Sequence, residues 1–370
     1  MGVVKLGDVA RESRLKWTKS KQDVPIVGLE HLIPDEIRFD AYDINTDNTF
    51  SKRFVKGQVL FGRRRAYQRK AAIAEFDCIC SGDITVIQAI ERKMVPELLP
   101  FIIQTPVFFD YANRGSAGSL SPRVKWEHLA DYEFELPPLE EQKILADKLW
   151  AAYRLKEAYK KLLVATDEMV KSQFIEMFGN CKSQGTLSSL CATFIDGDWI
   201  ESKDQSDNGI RLIQTGNVGF GFFKGREDKS RYITEETFKK LNCTEVVPGD
   251  ILISRLPDPI GRACIVPEGI GKAITAVDCT IVRLNATLLP EFLISFSKTA
   301  LYASQINKIK TGTTRLRVSR GNLGNVIIPI PPIESQHHFA AIAQQADKSK
   351  FELKQCIEHI DKVIKSLING

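Results

Sequence analysis

Two stretches of the chain carry mostly apolar residues at steps of three and four. In the first, Leu145, Leu149, Ala152, Leu155, Tyr159, Leu162, Thr166 and Met169 recur; in the second, Leu353, Ile357, Ile360, Ile364 and Leu367 do. That spacing predicts two long helices, each with a narrow apolar stripe. The start signals agree. Pro137-Pro138 precedes Glu140 and Glu141, Pro331-Pro332 precedes Glu334, and Gly179-Asn180 supplies a stop for the first helix. At 1.5 Å per residue, some 40 residues make a helix of roughly 60 Å, longer than an ordinary domain. A narrow stripe is the seam of a helix pair. The two helices are therefore expected to pack as an antiparallel coiled coil that holds two globular parts apart. Elsewhere the pattern shortens to strand-like runs such as 250–254 and Cys279–Leu284, broken by Gly, Pro and Asn, with helical segments such as 290–304.

The chain also repeats itself. Arg123-Val124-Lys125-Trp126, Leu129 and Leu136-Pro137-Pro138-Leu139-Glu140-Glu141-Gln142 reappear as Arg317-Val318-Ser319-Arg320, Leu323 and Ile330-Pro331-Pro332-Ile333-Glu334-Ser335-Gln336, at a constant offset of 194. Upstream, 54–61 matches 246–253 at offset 192, and 83–87 matches 278–282 at offset 195. Small drifts in offset are what loop insertions between two copies of one fold produce.

Composition bounds the reading. With 370 residues, 43% hydrophobic and 26% charged, the chain is neither disordered nor collagen-like, and it is too long for one core. No run approaches the ~20 apolar residues of a membrane span. The opening Met1-Gly2-Val3-Val4-Lys5-Leu6-Gly7-Asp8 lacks the layout of a secretory signal. Eight scattered Cys without C-x-x-C suit reduced thiols in a cytoplasm. Cys78-Ile79-Cys80 reads as buried thiols on opposite faces of a strand.

The net charge of +5 matters through its distribution. The helices are neutral, with seven acids and seven bases over Leu139–Phe178 and five of each over Ile333–Asn369. Residues 1–138 hold 20 bases and 19 acids, and 179–332 hold 19 and 15. The bases cluster, however. No acid occurs over 60–74, which carries Arg63, Arg64, Arg65, Arg69 and Lys70. None occurs over 292–333, which carries Lys298, Lys308, Lys310, Arg315, Arg317 and Arg320. Near-balanced charge with local basic loops suits a protein that must read DNA sequence without gripping every phosphate.

These features resemble the specificity subunit of type I restriction–modification systems. The matching residues are Lys5-Leu6-Gly7-Asp8-Val9, Pro137-Pro138-Leu139-Glu141-Gln142, Pro331-Pro332-Ile333-Glu334-Gln336, Gly249-Asp250-Ile251-Leu252-Ile253-Ser254-Arg255 and Gly261-Arg262. Two departures stand out: Gln58 replaces the usual Asp after Gly57, and the second joint reads Glu334-Ser335-Gln336. The resemblance implies an α+β chain with two similar mixed α/β target recognition domains in tandem, at 1–138 and 181–332. Spacer helices would occupy 139–180 and 333–370. Each domain would read half of a bipartite, asymmetric site in double-stranded DNA. The helices would set the spacer and dock two methyltransferase subunits, and restriction (translocase/nuclease) subunits would join them. The complex would be an adenine methyltransferase and ATP-dependent endonuclease.

Position nominates the DNA-binding residues: Arg63, Arg64, Arg65, Arg69, Lys70, Arg114 and Arg123 in the first copy, and Arg255, Arg262, Lys308, Lys310, Arg315, Arg317 and Arg320 in the second. Gln68, Asn113, Gln305 and Asn307 lie among them, as do Tyr67 and Tyr111. Arg pairs bidentately with guanine, and Asn or Gln with adenine. Catalysis finds no motif. Both Pro-Pro pairs sit between Leu or Ile and lack the amide or carboxylate that a base-holding methyltransferase loop needs. Gly269-Ile270-Gly271-Lys272 is no phosphate loop, and the five His show no metal-ligand spacing. A non-catalytic subunit without cofactor or metal is expected. A duplicated protein-binding scaffold without DNA readout is the competing expectation.

Overall fold

The computed structural model describes residues 2–313 and 315–369. The chain forms two compact units, one from residues up to Lys160 together with those from Lys354 on, the other from Lys161–Leu353.

In the first unit an antiparallel four-stranded sheet has the order Ala10–Glu12, Ile84–Ala89, Val59–Gly62, Ala71–Ile73. A second sheet runs Asp43–Ile44, Pro25–Val27, Cys78–Cys80, Lys52–Phe54, with a parallel central pair. Gly2–Lys5 pairs with Glu133–Leu136. The second unit has the same plan. Its four-stranded sheet runs Cys191–Asp196, Cys279–Leu284, Ile251–Ser254, Ala263–Ile265, and Gln184–Thr186 pairs with Ile327–Pro329. Its mixed sheet, Tyr232–Ile233, Ile210–Ile213, Ala273–Thr275, again has a parallel pair. A single bridge from Val246 to Ala273 stands where the first unit has the strand Lys52–Phe54. Val59–Gly62 and Ile251–Ser254 are buried along their whole length, so unbroken apolar runs rather than alternation mark the central strands.

The helix expected over 290–304 is two helices, Pro290–Ser297 and Ala300–Ile309. Lys298 ends the first, and Thr299 caps the second by accepting from the Tyr302 N–H, as Thr105 does from Phe108 in the first unit. Cys78 and Cys80 share one face, as residues two apart in a strand do, and both enter one apolar cluster. This corrects the opposite-face expectation. Burial pushes the Cys80 thiol up to about 12. All eight Cys are free thiols, and no helix among the described residues is long and apolar enough to cross a membrane.

The long helices span Leu139–Phe178 and Ile333–Asn369. Within the first unit, Ile364, Leu367 and Ile368 pack on the core that holds Ala146, Leu149 and Tyr153, and Lys156 pairs with Asp361 at 2.7 Å. Within the second, Phe174 and Phe178 pack on Phe339, and Lys350 pairs with Asp167 at 2.8 Å. In both units the two helix segments run antiparallel. The second helix keeps its predicted seam, and the first keeps it in part. Leu155, Leu162 and Met169 are exposed, while Leu149, Tyr159 and Thr166 stay at least half-buried together with Tyr153, Lys156, Leu163 and Val170, which the predicted stripe left out. Counting apolar residues alone overlooked Lys156, whose stem lies along the seam while its amine pairs with a carboxylate.

One buried amide fastens each globular part to its helix. Gln142 accepts from the Val95 N–H (2.8 Å) and donates to the carbonyls of Pro137 (2.8 Å) and Lys93 (3.2 Å). Gln336 accepts from Leu289 (2.9 Å) and donates to Pro331 and Thr287 (2.9 Å each). Every partner obeys the offset of 194. The Gln is therefore the working residue of the joint motif. Its acidic neighbours Glu141 and Glu334 are exposed, which is why the second joint tolerates Ser335 before its Gln.

The other departure also has a physical reason. Asp250 accepts from the Val247 N–H and from Arg283, Nε at 2.7 Å and Nη2 at 3.0 Å. Gln58, at the same place, accepts from the Val55 N–H (2.9 Å), and its amide donates to Gln88 (3.4 Å). Gln88 and Arg283 are equivalent positions at offset 195. A buried carboxylate paired with a partly exposed arginine in one copy is an amide pair in the other, so the two copies differ at both partners.

Candidate nucleic-acid interface

Each unit gathers its basic residues on the same backbone frame. After the strand Val59–Gly62, the Arg63 N–H donates to the Asp83 carbonyl (2.9 Å), and the Val124 N–H donates to the Arg63 carbonyl (3.0 Å). After Ile251–Ser254, Arg255 donates to Asp278 (2.9 Å) and accepts from Val318 (3.1 Å). A short loop beside this junction is closed by paired backbone bonds, between Ala117 and Arg123 in one copy and between Thr311 and Arg317 in the other. Gly118 (φ +115°) and Gly312 (φ +108°) turn these loops in a region that residues with a Cβ avoid. Segments some 60 residues apart in sequence thereby meet at one surface.

The side chains differ between the copies. Asp83 accepts from Arg123 Nε at Oδ1 (2.8 Å) and from Arg64 Nη1 at Oδ2 (3.3 Å), while Arg64 Nε donates to Ser121 Oγ. Partial burial acts to raise the Asp83 pKa, but the hydrogen bonds and charge of Arg123, then of Arg64, hold it below the ordinary value. Arg69 pairs with Asp35 and lies over Phe109, and Lys70 donates to the Leu29 carbonyl (2.6 Å). Arg63 and Arg65 are half-buried, Arg114 is exposed, and Tyr67 is exposed. Tyr111 stacks on His128 instead, with ring centroids 4.4 Å apart.

In the second unit Lys308, Lys310, Arg315, Arg317 and Arg320 are all exposed, and among the described residues none forms an ion pair. Lys310 donates to Asn307 (3.0 Å), and the Gln305 amide is engaged with the backbone of Ile327. Arg255 and Arg262 depart from the expectation that they face a ligand. They are 5% and 6% exposed. Arg255 donates to the carbonyls of Val318 and Val277 and pairs with Asp196. Arg262 donates to those of Val218, Leu256, Pro259 and Thr215. Five donors on one planar group suit Arg to tying loop carbonyls together, and a sequence motif does not distinguish that role from a surface one. Both are braces of the frame, and they leave the set of surface candidates.

A model of the type I restriction modification DNA specificity domain matches residues 1–163 and, again, 185–362. The chain belongs to this family. It is 21% identical over 299 residues to the type I restriction enzyme EcoBI specificity subunit of Escherichia coli, covering 71% of this chain and 62% of that protein, so the match spans less than two thirds of that relative. A chain from a solved type I R-M system, described for its complex assembly and conformational transition, shares the fold with a TM-score of 0.60 at 18% identity over 99% of this chain and 96% of that one. The type I restriction-modification S subunit from M. genitalium does so with a TM-score of 0.58 at 11% identity, over 100% and 95%.

Within this specificity-domain fold, sequence reasoning missed Asp83 as a site residue. It served only to align the two copies. The signal that it does more is geometric, because two basic segments converge on a carboxylate that precedes a buried strand. Among the described residues one cluster, Glu30, His31 and Asp43, has ligand-like spacing. His31 Nδ1 accepts the Gly28 N–H (2.9 Å), which leaves the ring proton on Nε2, 3.6 Å from Asp43. That nitrogen faces the carboxylate as a donor, with no lone pair for a metal.

Proposed function

We propose that the chain is the non-catalytic DNA-specificity subunit of a type I restriction–modification complex. Each recognition domain, 1–138 and 181–332, reads one half of a bipartite, asymmetric site in double-stranded DNA. The spacer helices, 139–180 and 333–370, set the gap between the halves and dock two methyltransferase subunits, to which restriction subunits attach. The subunit works in the cytoplasm, where the DNA is. The observation that carries this reading is the twice-built frame. Two copies of one domain use the same backbone bonds to bring basic loops to a surface, which is what two half-sites require. Family membership and the name of the EcoBI relative support it.

The test is DNA binding by the purified full chain as salt is varied. Affinity is expected to fall steeply with salt, through release of ions from phosphates. Arg315→Glu, Arg317→Glu and Arg320→Glu together are expected to abolish binding. A triple variant with unchanged affinity and salt dependence would sink the DNA reading, and turnover of DNA by the pure chain would sink the non-catalytic one.

A further inference from the structure

We infer that Asp83 is a positioning residue for base readout in the first domain, holding Arg123 and Arg64 as a fixed fork aimed at base edges. The inference rests on the DNA reading proposed above. Arg123 engages Asp83 through Nε alone, and Arg64 uses Nη1 and, on Ser121, Nε. Among the described residues the two terminal amino groups of Arg123, and Nη2 of Arg64, have no protein partner. A terminal pair of amino groups is what donates to O6 and N7 of guanine.

Asp83 is itself held. Its side chain is 20% exposed, its N–H donates to Ser81 Oγ (3.2 Å), and its carbonyl accepts from Arg63 (2.9 Å). Arginines clamped on such an anchor have surrendered rotamer freedom before DNA arrives. The carboxylate also repels phosphate, which biases both guanidinium groups toward bases, where sequence is read, and away from the backbone, where it is not. The second copy lacks the device. Arg317, equivalent to Arg123, has no ion-pair partner among the described residues, and Leu256 stands where Arg64 would be at offset 192.

The experiment compares the full chain on two duplexes of equal length across a salt series. One carries the site mapped from modified adenines in the host, and the other is scrambled. Asp83→Asn is expected to raise scrambled-duplex affinity a few-fold and steepen the log–log salt slope by about one. The site-to-scrambled ratio should fall about tenfold, the scale of one misread bidentate contact. A carboxylate that merely stabilised the fold would not raise affinity for the scrambled duplex. Arg123→Lys keeps the charge and removes the fork, so it decides the matter should Asp83→Asn fail to fold. It is expected to leave the salt slope unchanged and lower the ratio about tenfold. A folded Asp83→Asn, or an Arg123→Lys, that kept the wild-type ratio would overturn the inference alone. A wild-type chain that bound neither duplex would instead overturn the DNA reading.

Discussion

The two basic loops share a backbone and differ in how their charges are compensated. In the first domain Arg64 and Arg123 converge on Asp83, Arg69 pairs with Asp35, and Lys70 is tied to a carbonyl. In the second, five bases over 308–320 stand exposed without carboxylate partners among the described residues. Duplication has preserved what holds the frame together, such as Gln142 and Gln336, and has let the surface diverge. A subunit that reads two unlike half-sites needs that division. On the DNA reading proposed above, an unequal partnership is expected, in which the second domain supplies most of the electrostatic grip and the first supplies preformed contacts.

The largest expected effect tests that inequality. Replacing Lys308, Lys310, Arg315, Arg317 and Arg320 by Gln should flatten the log–log salt slope by about four and weaken DNA binding more than about 100-fold at moderate salt. The matched replacement of Arg64, Arg69, Lys70 and Arg123 should change the slope by no more than about two, since these groups already have protein partners. Equal changes in a salt titration would break the comparison.

Next come the buried joints, where the copies should behave alike. Gln142→Ala and Gln336→Ala each leave three backbone groups unpaired in a closed site, a loss of about 2–4 kcal/mol. Urea unfolding should show each variant destabilising its own unit by a similar amount.

The pair that differs between the copies offers a sharper comparison of about 2 kcal/mol. Gln58→Asp buries a carboxylate with no cation and should destabilise the first unit, and adding Gln88→Arg should restore it by recreating the Asp250–Arg283 arrangement. A double variant no more stable than the single one would show that the match is coincidental.

The smallest effect concerns pH. The Asp83 carboxyl is held below its unfolded value of 3.8, so its contribution is complete above that value and is lost as pH falls through the folded one. With a partly exposed carboxylate the contribution is less than about 1 kcal/mol. The stability gap between the wild type and Asp83→Asn should be constant from pH 7 to about 5 and should close in more acid solution, as followed by denaturant titration.

Much of the architecture was legible because repetition and helical periodicity are properties of sequence order. The duplication was visible at nearly constant offsets, and the long helices in the three-and-four spacing. What failed did so for identifiable reasons. The seam of the first helix turns on Lys156 and Tyr153, and a stripe drawn through Leu155 and Leu162 cannot register a lysine lying lengthwise. Arg255 and Arg262 look like surface bases in a motif, but the carbonyls that capture them come from distant loops. Asp83 could not be recognised as an anchor until Arg64 and Arg123, 59 positions apart in the chain, were brought to its two oxygens. Local pattern finds elements, whereas partnership between charges depends on closure of the fold.

Sequencing the modified adenines in a host that carries this chain and the proposed methyltransferase partner tests the account most directly. The wild type is compared with Arg64→Ala/Arg123→Ala. The expected result is a two-part site whose first-domain half loses base discrimination in the variant, with the other half and the gap between them intact. Relaxation of both halves together, or a site that does not change, would contradict two modules that read DNA separately.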